Sequence, residues 1–139
     1  MNMIEALQDP ELEKHKQKIY GVAVAIVTGI GEEEKLGQVQ VQFPWLSDED
    51  ESLWARILTP LAGYGRGFYH LPDIGDEVLV AFEFGDINRP IVLGALWNRS
   101  QVPPETEDGK LTIQNTGKIV IESEDQIIIK GTAIDFQKA

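Results

Sequence analysis

His15 and His70 are the only imidazoles in this chain of 139 residues, and cysteine is absent. Imidazole and thiolate are the side chains that most often bind transition metals or activate a nucleophile, so metal sites and Ser–His–Asp chemistry have little to draw on. His15 falls in the charged stretch DPELEKHKQK and His70 in a glycine-containing loop, far apart in the chain. Carboxylates cluster at Glu32–Glu34 and Asp48–Glu51. Both runs read as solvated loops, which do not hold two carboxyl groups at the fixed separation that glycoside hydrolysis needs. YGRGFYH, residues 64–70, sets glycines beside an arginine without the GxxxxGK[ST] order that cradles a phosphate. Trp45, Trp54 and Trp97 carry rings of the kind that stack on bases or sugars. Their positions at strand starts and ends fit core or subunit contacts better. The expectation is a protein that is not an enzyme, with no catalytic residue, no cofactor and no metal ligand.

The elements that would position these residues are strands. YGVAVAIVTGI is β-rich and is followed by a Glu32–Glu34 turn, and LGQVQVQFPWL alternates at Val39, Val41 and Phe43 before Pro44 halts it. LWARILTPLA, EVLVAFEF and PIVLGALW supply three more strands, the last two joined by GDINR, with AGYGRGFYHLPDIG as a long connection before them. Its aromatics are expected to pack on the barrel or on a partner. Five short strands within residues 19–98, with glycines at bends, suit a small closed barrel of the OB type, which leaves no exposed edge. Ahead of it, residues 1–18 read as a helical arm, with Asp9 as N-cap and Pro10 at the first helical position. After it, residues 99–108 are polar, carry two prolines and read as a stiff linker.

Residues 109–139 repeat in eights: GKLTIQNT, GKIVIESE, DQIIIKGT and an imperfect AIDFQKA. Apolar pairs recur at Leu111 and Ile113, Ile119 and Ile121, and Ile127 and Ile129, then slip by one place to Ile134 and Phe136. Each unit offers a short strand with two inward side chains and a turn. A lone ribbon of such strands buries one face poorly and leaves its edges unpaired, against the entropy of ordering the whole segment. Identical chains around an axis supply both ladder partners and an opposing wall. The eight side chains named are the expected trimer interface of an intertwined, triple-stranded β-helix. Charge agrees. Residues 19–98 hold four Lys or Arg against twelve Asp or Glu, whereas residues 109–139 balance four Lys against four acids. The acidic barrel argues against nucleic acid, and the neutral tail meets copies of itself without electrostatic cost.

GQVQVQFPWL, LWARILTPLAG and GFYHLPDIGDEVLVAFEFGDINRPIVLGALWN resemble, in that order, phage baseplate assembly protein V and the VgrG-type spike proteins. The resemblance covers residues 20–98 nearly continuously and rests on many positions, among them the barrel motif Pro72, Gly75, Asp76, Phe82, Gly85, Pro90, Gly94 and Asn98. It implies an all-β homotrimer: an OB-fold barrel followed by a short β-helical needle, made in the bacterial cytoplasm and built into a virion tail or injection particle. Such a spike caps the tube of the baseplate, pierces the target envelope when the sheath contracts and touches the target membrane only transiently. The hub domains that precede the barrel in VgrG proteins are absent, implying a separate hub protein. The tail ends in DFQKA without the closely spaced His-x-His that binds iron at some phage tips, which suggests a separate PAAR-type tip protein on a blunt end. Two other readings stay open: a monomeric OB-fold ligand-binding module, and an assembly adaptor whose tail orders only inside the particle.

Overall fold

The computed structural model describes residues 18–46 and 52–138. The helix expected over residues 1–18 (Lys18 apart), His15 and the acidic run Asp48–Glu51 lie outside the described residues.

Strands follow the alternation of the sequence. Val22–Ile30 forms β1, Val39–Gln42 β2 and Ser52–Ile57 β3. Two short strands, Ala62–Gly63 (β4) and Arg66–Gly67 (β5), pair only with each other, and Glu77–Phe82 (β6) and Pro90–Ala95 (β7) complete the set. Five strands close a barrel in the order β1-β2-β3-β7-β6. Neighbours are antiparallel except β3 and β7, which run parallel through Arg56↔Ile91 and Ile57↔Val92. This is the expected OB-type barrel. β1 is long enough to pair with both β2 and β6, and its register shifts between Val27 and Gly29. Such a bulge sharpens the bend of a strand shared by two ladders. At the bulge the Thr28 and Ser52 hydroxyls lie 2.9 Å apart.

Every second residue of the barrel strands turns inward. Ala25, Val27, Val39, Val41, Ala55, Val78, Val80 and Val92 are buried, with Phe43 and Phe82 filling the remaining volume. Their ring centroids lie 5.4 Å apart at 41°. Small β-branched side chains suit so narrow an interior, because they are stiff and pack on a pleated surface.

The long connection holds one element that the sequence hid. Its residues 62–67 form the β4–β5 hairpin, with Gly65 at φ +69° in the turn. The turn needs that glycine, but no run of alternating residues announces two-residue strands.

The chain divides into two compact units, the second running from Pro104. In this second unit bends fall at residues 116–117, 124–125 and 132–133, with neither helix nor strand between them among the described residues. The bends recur every eight residues, in step with the sequence repeat. The slipped pair Ile134 and Phe136 thus follows its bend one residue earlier than Ile119 or Ile127 follow theirs. Asn115 donates from Nδ2 to the Lys118 carbonyl at 3.2 Å across the first bend, and Ser123 Oγ accepts from the Asp125 N–H at 3.2 Å at the second. These are local side-chain turns of the kind Asn and Ser favour. Among the described residues, no backbone–backbone hydrogen bond joins residues 111–138 to one another.

Candidate functional site

At the entrance of β6 the motif residues form a polar clasp. Gly75, at φ +95°, donates its N–H to the Val27 carbonyl at 2.8 Å, and the Val27 N–H donates to the Asp76 carbonyl at 3.0 Å. Asp76 accepts from the Asp73 N–H at 2.9 Å and from Gln101 Nε2 at 3.0 Å. Asn98 donates from Nδ2 to Glu77 Oε2 at 3.0 Å, and its Oδ1 accepts from the N–H groups of Ser100 and Gln101 at 2.9 and 2.8 Å. The exit of β7 is thereby tied to the start of β6, with Pro72 buried beside them. Ser100 and Gln101 belong to this clasp. Sequence reasoning gave them to the linker because a lone Asn is a weak signal for such a turn.

At the opposite end of β6, Glu83–Gly85 makes a tight turn toward β7, with Phe84 and Gly85 both at positive φ. The Gly85 carbonyl accepts from the Ile19 N–H at 2.7 Å. Glu83 is shared by Arg56 and, at 2.9 Å, Arg89. Pro90 is buried, whereas Gly94 is exposed and pairs with Leu79 beside a second register shift. Gly85 has φ +74°, and a β-carbon there would stand 3.1 Å from Lys18 Cβ and 3.2 Å from the Tyr20 ring. Gly85→Ala is therefore expected to cost about 1–3 kcal/mol, from left-handed strain and crowding together. A thermal melt of the barrel, lowered by several degrees, is the check.

The barrel motif thus sets turns, ends and core, and it brings no catalytic constellation together. Among the described residues, no group of three His, Cys, Asp or Glu is placed to hold a metal ion. Nor is any helix among them long and apolar enough to cross a membrane. Among the described residues, a carboxyl held off its ordinary value lies in the second unit. There the Lys110 ammonium, 2.8 Å from the Glu105 carboxylate, holds its carboxyl below the ordinary value, helped by the Glu107 N–H.

What the geometry does offer is uncovered apolar surface. Tyr64, Phe68 and Tyr69 are exposed, so of the two expected positions, on the barrel or on a partner, they do not take the one on the barrel of their own chain. Trp45 and Trp97 are exposed as well, so neither is a core residue, although the Trp45 ring leans on Phe43 with centroids 5.4 Å apart. In the second unit Leu111, Ile113, Ile119, Ile121, Ile127, Ile129, Ile134 and Phe136 are between 48% and 89% exposed. Large exposed apolar patches on one chain mark surfaces that another molecule covers.

Comparison with known proteins agrees with the closed barrel. Residues 23–97 match the family described as the type VI secretion system/phage-baseplate injector OB domain. The chain is 38% identical over 103 residues to the type VI secretion system spike protein VgrG4b of Pseudomonas aeruginosa, covering 68% of this chain and 13% of that protein. It is 34% identical over 110 residues to the spike protein VgrG5 of the same organism, covering 73% of this chain and 14% of the relative. To the actin cross-linking toxin VgrG1 of Vibrio cholerae it is 36% identical over 99 residues, 66% of this chain and 9% of the toxin. The chain therefore spans a small part of the length of these relatives.

Proposed function

Because the chain belongs to the family of type VI secretion system/phage-baseplate injector OB domains, we propose that it is the central spike of a contractile tail or injection-particle baseplate. Its barrels cap the tube, and its tails form a needle that pierces the target envelope when the sheath contracts. The observation that carries this reading is the row of aliphatic pairs at eight-residue spacing, every one of them exposed on the single chain.

Three chains wound together turn those pairs toward a shared axis, and each extended segment finds its missing ladder partners on its neighbours. The eight-residue spacing of the bends supports this, since a prism needs a corner after each face. The even charge of residues 109–139 supports it too. In this reading the work is mechanical and no bond is broken. A needle cross-linked by backbone hydrogen bonds transmits force along its axis without buckling. The residues 1–18, 19–98, 99–108 and 109–139 serve as arm, barrel, linker and needle. A separate hub protein lies below the barrels and a PAAR-type tip protein sits on the blunt end, so the chain acts in a virion tail or injection particle after synthesis in the bacterial cytoplasm.

Light scattering tests the proposal directly. A mass near three times 15.5 kDa is expected. A single-chain mass would remove the spike and leave a monomeric binding module. The adaptor reading is separated by hydrogen exchange: a tail unprotected in the isolated protein would favour it, whereas slow amides in residues 109–138 favour the needle. Mixing an intact trimer with a PAAR-type protein and recovering no complex would count against the blunt-end dock.

A further inference from the structure

We propose that the surface around Phe84 is the docking site of the chain's own N-terminal segment, residues 1–17. Phe84 has φ +52° and ψ +26°, a left-handed conformation in which a bulky side chain is strained, yet the residue is 83% exposed. Glycine or asparagine at this position would give the same turn at less strain. A phenyl ring there gains only if something covers it. Tyr20, also exposed, stands beside the same turn, and a cavity of about 300 Å³ opens between Lys18, Phe84, Ile87 and Asn88.

Connectivity selects the occupant. The Ile19 N–H is fastened to the Gly85 carbonyl at 2.7 Å, and Lys18 lines the cavity, so residues 1–17 start from its rim. Leu12 stands six residues before Lys18, within roughly 20 Å of it even when fully extended. A tether that short holds the segment at an effective concentration of order millimolar, so a weak contact suffices. The segment carries Met1, Met3, Ile4, Leu7 and Leu12. Methionine fills irregular hollows well, and leucine and isoleucine add area against a ring.

The proposal does not depend on the trimer. Trypsin tests it on the full chain, because Lys14 and Lys16 lie inside the segment. Phe84→Asn keeps the turn and removes the ring. It is expected to speed cleavage at these two lysines at least about tenfold, since cleavage tracks the population of the open form. The barrel melt should be unchanged or raised. Leu12→Asp, which lies outside the barrel, should speed cleavage similarly. Equal rates for the wild type and both variants would overturn the proposal. So would protection that is lost whenever trimers are dispersed, which would assign the segment to a neighbouring copy. Protection that appears only on adding a hub protein would likewise overturn it.

Discussion

Ile129→Asp is expected to drop the particle from a mass near three times 15.5 kDa to that of one chain. Ile129 is the second residue of the third aliphatic pair, so in the wound needle its three copies point at one axis. Three carboxylates would then meet in a dry interior with no cation to pair them. An uncompensated buried charge costs several kcal/mol, and here three such charges also repel one another. The alternative to ionisation is protonation, because burial and like charges both raise a carboxyl pKa. The sign follows: the assembled form binds protons more readily than the separated chains, so acid should restore part of the trimer and alkali should not. Two controls define the face. Val120→Asp lies between the inward residues Ile119 and Ile121, turns outward by the alternation of a strand, and should keep the trimer mass. Glu33→Asp, at an exposed site of the barrel unit, should change nothing. A normal trimer from Ile129→Asp would show that the inward face has been assigned to the wrong side chains.

The contrast between tail and barrel shows which parts of the molecule sequence can disclose. Val39, Val41 and Phe43 alternate with glutamines, so a period of two names both the strand and its buried face. Val78, Val80 and Phe82 do the same in β6. The clasp of Asn98, Gln101, Asp76 and Glu77 was not legible as such, because its partners lie 21 to 25 residues apart and only the closed barrel brings them together. Phe84 was hidden for another reason. A phenylalanine within EVLVAFEF reads as one more strand residue, and only its left-handed backbone shows that the strand has ended two residues earlier. The octads are the reverse case. Their repeat is plain in the sequence, but the surface that would cover their aliphatic pairs belongs to no part of the described chain.

Phe82→Ala should cost the barrel about 3–5 kcal/mol, the usual range for deleting a buried ring. That is a large share of the roughly 5–15 kcal/mol that holds a small domain folded. The site has little capacity to relax. The largest fully buried side chains of the same core are Val27, Val39, Val41, Val78, Val80 and Val92, whose branched β-carbons fix their rotamers and limit how far they can reach into the hollow. Phe43, 5.4 Å away between ring centroids, would lose its principal aromatic neighbour within the core. A urea titration read by tryptophan fluorescence should therefore show a far lower midpoint with a similar slope. Phe82→Leu, which keeps most of the volume, should lose only a fraction of that. The mass of the particle gives the sharper comparison. If tail pairing holds the three chains together, Phe82→Ala lowers the barrel transition while the mass stays near three chains, and Ile129→Asp lowers the mass while the barrel transition stays put. If instead the exposed loop aromatics Tyr64, Phe68 and Tyr69 carry the assembly, loosening the barrel that presents them would disperse the trimer, and the two variants would no longer separate.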